Sequence, residues 1–91
     1  MPSSESLTPE AVLGQILVVA SEAFGRPVAA TDNFFDLEGD SLHALEMITG
    51  LSDRLAVDID IEALLQADDF VGFARAVVAM LSEQAQSGAM P

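Results

Sequence analysis

Val57-Asp58-Ile59-Asp60-Ile61 alternates apolar and acidic residues with the period of a half-buried strand, and the fold class turns on how it is taken. Nothing else in the chain offers a partner strand, and an unpaired strand would leave its backbone N–H and C=O groups unsatisfied. The segment therefore reads as an extended connection between helices, in an all-α chain.

Helical patterns lie on both sides of it. Before it, Asp40 can cap a helix from about Ser41 to Leu55 in which Ala44, Leu45, Ile48, Leu51 and Leu55 share a face. After it, Ile61, Leu64 and Leu65 fit a short helix. Asp68 or Asp69 can then cap a last one, with the stripe Phe70, Phe73, Ala74, Val77, Met80 and Leu81. At the other end, Thr8-Pro9-Glu10 is a helix start: a capping hydroxyl, a proline at the first helical position and an acid at the positive end of the dipole. Leu13, Ile16, Leu17, Ala20, Ala23 and Phe24 continue that helix as an apolar stripe, and Gly25 and Pro27 end it. Between Gly25 and Asp40 the period is lost. This long loop has Phe34, Phe35 and Leu37 as its apolar anchors, and loops of such length in small domains usually serve a function. The expected architecture is a four-helix bundle of three main helices and one short helix over residues 8–81. Residues 1–7 and 82–91 are expected to be flexible tails.

Composition narrows the function. The 91 residues are 51% hydrophobic, too apolar for a disordered chain, and 15 acids against three Arg give a net charge of −12. That charge repels a phosphate backbone, so nucleic acid is excluded as a partner class. No basic leader precedes an apolar core near Met1, and no uncharged run reaches the length that spans a bilayer. The absence of Cys removes disulfides, thiol catalysis and Cys-based zinc sites, and suits a cytoplasmic address.

Most of the acids fall between Asp32 and Asp69, where Arg54 is the one basic residue. On the second helix a 100° projection puts Leu42, Glu46, Thr49 and Asp53 opposite the apolar stripe. A leucine among carboxylates there can dock into an apolar pocket ringed by Arg or Lys. Gly50, costly inside a helix by about 1 kcal/mol, either admits a close partner or is simply tolerated.

Ser41 is the sharpest candidate for chemistry. At the first helical position its hydroxyl lies beside free amides and the positive dipole end, where a phosphate is well held. The same residues also read simply as a helix cap, and spacing alone does not separate the two. Catalysis by Ser41 is poorly supported. Gly39-Asp40-Ser41-Leu42-His43 lacks the closing glycine of a nucleophile elbow, and His43, about 200° around the helix, cannot serve as its base. His43 is expected to be a surface residue. Asp36-x-Glu38-x-Asp40 and Asp58-x-Asp60-x-Glu62 imitate the opening of a calcium loop, but lack its glycine and closing glutamate. Neither a catalytic residue nor a metal site is assigned.

Asp32-Asn33-Phe34-Phe35-Asp36-Leu37-Glu38-Gly39-Asp40-Ser41-Leu42 resembles the signature of phosphopantetheine-dependent carrier proteins. The pattern is Asp-x-Phe-Phe-x-Leu-Gly-Gly-(His or Asp)-Ser-Leu, that of peptidyl carriers in particular. The order of elements from Leu13 to Leu81 is similar too. The resemblance implies that a phosphopantetheinyl transferase, using Mg2+ of its own, moves 4'-phosphopantetheine from coenzyme A onto Ser41. Gly39, Asp40 and Leu42 would flank the arm. The chain would then be the transferase's substrate rather than an enzyme, carrying an aminoacyl or acyl thioester. Leu42, Glu46 and Met47, with Asp53 farther along the helix, match a partner-docking face. Implied partners are an adenylating or ligating loading enzyme and condensing, transferring or tailoring enzymes of a nonribosomal peptide or hybrid polyketide pathway. The chain is expected to be a free-standing monomer. Asp40 is common in acyl carriers and Phe34-Phe35 in peptidyl ones, so the subtype stays open. An unmodified acidic adaptor and a small serine hydrolase are the rival classes. Glu38 departs from the pattern by replacing its first glycine; if that position needs positive φ, a side chain costs about 1–2 kcal/mol there.

Overall fold

Thr8 opens the first helix as its neighbours require. Its Oγ1 accepts a hydrogen bond from the Ala11 amide at 3.1 Å, and Pro9 occupies the position where a missing N–H costs nothing. The computed structural model describes residues 8–89, and side chains from 8 to 82. Its helices are α1 (Pro9–Phe24), α2 (Ser41–Leu55), α3 (Ile61–Gln66) and α4 (Phe70–Ala89), and among the described residues there is no strand. The all-α, four-helix expectation holds. Packing α1 against both α2 and α4, with α3 bridging α2 and α4, gives one core.

The core face of α1 is turned slightly from the expected stripe. Val12, Ile16, Val19 and Ala20 are buried, while Leu13 and Leu17 sit at the margin. Two packing partners select a different edge of a helix that is apolar on several sides. Gly25 ends α1 at φ 71°, and its amide donates to the Ser21 carbonyl at 2.9 Å.

In α2 the buried positions are Ala44, Met47 and Leu51. Two expectations are corrected. Leu45, expected in the core, is 56% exposed, and Met47, expected on the docking face, is fully buried. Both registers are helical stripes; the one chosen lets unbranched Met47 fill the centre. Ala56 caps α2 in the left-handed region at φ 57°. The alternating segment then runs extended, with Ile59 buried and Asp58 and Asp60 exposed, and Asp60 caps α3 by accepting from the Glu62 amide.

Of the two candidate caps for α4, Asp69 does the work: its Oδ1 accepts from the Gly72 amide at 2.8 Å. Phe70, Phe73, Ala74, Val77 and Leu81 line the core. The helix does not stop at Leu81 but continues to Ala89, where a tail was expected from Ser82. Glu, Gln and Ala in that stretch are good helix formers, and helical hydrogen bonding needs no buried stripe to propagate from an anchored turn. The expectations for residues 1–7 and 90–91 lie outside the described residues.

The first half of the long loop is tied to both α1 and α4. The Val28 amide donates to Ser21 Oγ at 3.2 Å, and the Phe70 and Val71 amides donate to the Asp32 and Ala30 carbonyls. Val28 and Phe34 are its buried anchors, with Leu37 partly so. Phe35, expected as a third anchor, is 55% exposed.

Candidate functional site

The turn that delivers the chain to α2 is built on Asn33. Its Oδ1 accepts from the amides of Phe35 (2.7 Å) and Asp36 (3.0 Å), and its Nδ2 donates to the Asp68 carbonyl at 2.7 Å. The loop is thus fixed to the entry of α4. The turn closes with Glu38 N to Phe35 O at 2.9 Å and Gly39 N to Phe34 O at 3.1 Å. Glu38 sits at φ 64°, so the position does need the left-handed region that glycine would supply without strain. Gly39 is required for a different reason. A Cβ there would lie 2.5–2.7 Å from three atoms of the Phe34 ring.

Beyond Gly39 the backbone is extended at Asp40 (φ −128°, ψ −173°), and helical geometry begins at Ser41. Asp40 Oδ1 accepts from the His43 amide at 3.0 Å, and the Asp40 amide in turn donates to His43 Nδ1 at 3.3 Å, a reciprocal capping box. The hydrogen bond from the His43 amide, foremost, holds the Asp40 carboxyl below its ordinary value. His43 is not the free surface residue expected. Its ring is partly buried and stacks on Phe24 of α1, with centroids 4.5 Å apart and planes within 9°. Phe24 meets Phe34 edge-on at 5.7 Å. Sequence reasoning missed this role because the N3 position of a capping box usually holds Glu or Gln.

Ser41 is exposed, and among the described residues none hydrogen-bonds its hydroxyl. His43, the one histidine, is committed to the cap and to Phe24 rather than to the Ser41 hydroxyl. Of the expected docking residues, Leu42 (63% exposed), Glu46 and Asp53 face outward along α2. Leu45 is exposed one turn on from Leu42, whereas Met47 is buried. Gly50 faces α1: a Cβ there would come within 3.3 Å of Val19 Cγ1, a tight contact that this side chain would have to relieve by a few tenths of an ångström.

Comparisons with known proteins agree with this arrangement. The family model for the phosphopantetheine attachment site matches residues 14–77, most of the chain and all of the turn, Ser41 and α2. The chain belongs to that carrier family. Among solved structures it is similar to BlmI, a type-II acyl-carrier-protein from Streptomyces verticillus involved in bleomycin biosynthesis. The identity is 26%, covering 89% of this chain and 99% of that one, with a TM-score of 0.77. No curated protein sequence matches. The carrier's prosthetic group is 4'-phosphopantetheine, and its family acts as carriers rather than catalysts, working with phosphopantetheinyl transferases and biosynthetic enzymes.

The residues around Ser41 fit that group. The hydroxyl is open, Gly39 adds no side chain beside it, and the Asp40 carboxylate is engaged by the His43 amide. An anion would lie at the first turn of α2, a 15-residue helix with its positive dipole end there. Among the described residues no cluster of three or more His, Asp and Glu could hold a metal, and no helix is long and apolar enough to cross a membrane.

Proposed function

We propose that Ser41 is the attachment residue and that the carrier serves as a free-standing peptidyl carrier of a nonribosomal peptide or hybrid polyketide pathway, in the cytoplasm and as a monomer. The observation that carries this is the exposed Ser41 hydroxyl at the first residue of α2, flanked by Asp40 and Leu42 and with no hydrogen-bond partner among the described residues. The chain's part is presentation: it holds the hydroxyl outward at a fixed helix start. The Ser41 oxygen bonds to the pantetheine-side phosphorus as the pyrophosphate of coenzyme A breaks and adenosine 3',5'-bisphosphate leaves, and the hydroxyl proton passes to a base on the transferase. When attached, the arm supplies a thiol that carries an aminoacyl or acyl group as a thioester.

Leu42 and Leu45, with Glu46 and Asp53, give α2 an apolar centre with an acidic rim, which suits enzymes whose docking sites pair an apolar pocket with Arg or Lys. Such partners are the transferase, an adenylating or ligating loading enzyme, and condensing, transferring or tailoring enzymes. The Phe34-Phe35 pair favours the peptidyl type. The acyl type is the second reading, favoured by Asp40 before the serine and by the likeness to an acyl-carrier-protein structure.

Incubation with coenzyme A and a phosphopantetheinyl transferase, followed by intact mass, tests the assignment. The native chain should gain one arm, and Ser41→Ala none. Ester hydrolysis by the purified protein alone would favour the hydrolase class instead. Supplying the loaded carrier with aminoacyl-forming or acyl-forming enzymes separates the two subtypes by which acid appears on the arm.

A further inference from the structure

A second residue of α2 bears on how Ser41 is presented. His43 makes the only reciprocal cap described in the fold: Asp40 Oδ1 takes its amide, and its Nδ1 lies 3.3 Å from the Asp40 amide and 2.9 Å from the Asp40 carboxylate. Its ring lies flat on Phe24 at the end of α1, and Phe24 stands edge-on to Phe34, the ring that Gly39 packs against. One aromatic chain, Phe34–Phe24–His43, therefore joins the loop, α1 and the first turn of α2 on both sides of Ser41. The other helix starts lack this brace; Thr8 and Asp60 cap through a single side chain. Of the charged groups, Asp40 is in contact with the imidazole. Glu46 lies one turn along α2, and Glu22 and Arg26 bracket Phe24 in α1 and just after it.

We propose that His43 is a positioning residue for the attachment serine: by closing the cap on Asp40 and stacking on Phe24 it fixes the turn that presents Ser41 and so sets the affinity of the phosphopantetheinyl transferase for this carrier. The inference rests on Ser41 being the attachment residue. Without the brace the first turn of α2 frays, and the transferase binds only the fraction of molecules whose turn is formed. A formed fraction of about a tenth to a fifth raises KM by about five- to tenfold and leaves kcat nearly unchanged, because the bound turn is the same.

Three variants separate positioning from direct contact. His43→Ala removes both roles, His43→Gln restores the cap with a side chain that suits N3, and His43→Phe restores the stack. Transferase kinetics should show His43→Ala with the raised KM and native kcat, and Gln and Phe each recovering part of the loss. Amide exchange at His43 and Ala44, whose N–H groups bond to Asp40, should be several-fold faster in His43→Ala and slower again in His43→Gln. A native KM for His43→Ala overturns the proposal. So does a KM increase that neither Gln nor Phe recovers, since the transferase would then be reading the imidazole itself. Should His43→Ala fail to fold, the Gln and Phe variants decide between the same outcomes. A native chain that gains no arm at all would instead remove the Ser41 assignment, and the exchange rates would still test the brace.

Discussion

Replacing Gly39 by Ala puts a methyl group where the Phe34 ring now lies. The new Cβ would stand 2.5–2.7 Å from the ring, against an optimum near 3.5–4.0 Å, so the ring must retreat by about 1 Å. It has little room: Phe34 is 3% exposed, with Phe24 at 5.7 Å and Phe35 at 5.4 Å between ring centres. Overpacking of this kind costs about 1–3 kcal/mol, and the stiffer unfolded chain returns about 0.4–1 kcal/mol. A net loss of about 1–2 kcal/mol follows, which in a domain of this size lowers Tm by roughly 4–15 °C. Urea unfolding followed by far-UV circular dichroism measures it, with the midpoint falling and the slope unchanged. Shortening the obstructing ring should help: Gly39→Ala with Phe34→Leu should be more stable than the sum of the single changes by about 1 kcal/mol. Native stability of Gly39→Ala, or strict additivity in the double variant, would refute the steric reasoning.

The neighbouring residue should respond in the opposite direction. Glu38→Gly relieves about 1–2 kcal/mol of left-handed strain and loses about 0.4–1 kcal/mol through the freer unfolded chain, for a net gain of about 0.5–1 kcal/mol in a urea titration. Loading of that variant should persist or quicken; its complete loss would mean the carboxylate is itself recognised. Asn33→Ala removes three hydrogen bonds at the head of the turn and should cost about 1–3 kcal/mol, with faster amide exchange at Phe35 and Asp36. The Asp40 carboxyl is held below its ordinary value of 3.8, so its contribution to stability is complete above that value and is lost as the pH falls through the depressed one. Asp40→Asn keeps a capping oxygen without the charge, and its urea midpoint should fall less steeply than that of the native chain over that acid range. Parallel acid limbs in the two proteins would contradict this.

The order, number and starts of the helices were legible because local chemistry sets them. Thr8-Pro9, Asp40 and Asp69 cap where they stand, and the alternating segment has no strand to join. The inward faces of α1 and α2 were less legible. Each helix is apolar on more than one side, and the choice of Val12 over Leu13, or Met47 over Leu45, belongs to the neighbours it meets. The end of α4 was misread because its last turns have no apolar stripe, yet still form helix. At the site, Ser41 and Leu42 stood out in the sequence, as did the cost of Glu38. His43 did not, because its role depends on Phe24, which reaches it only through the fold.

Peptide-level mass spectrometry of the protein from its native host tests the central claim most directly. The fragment containing Asp40-Ser41-Leu42 should carry one phosphopantetheine, localised to the Ser41 oxygen. An arm found on another residue, or that fragment recovered bare after exposure to several transferases, would contradict the account.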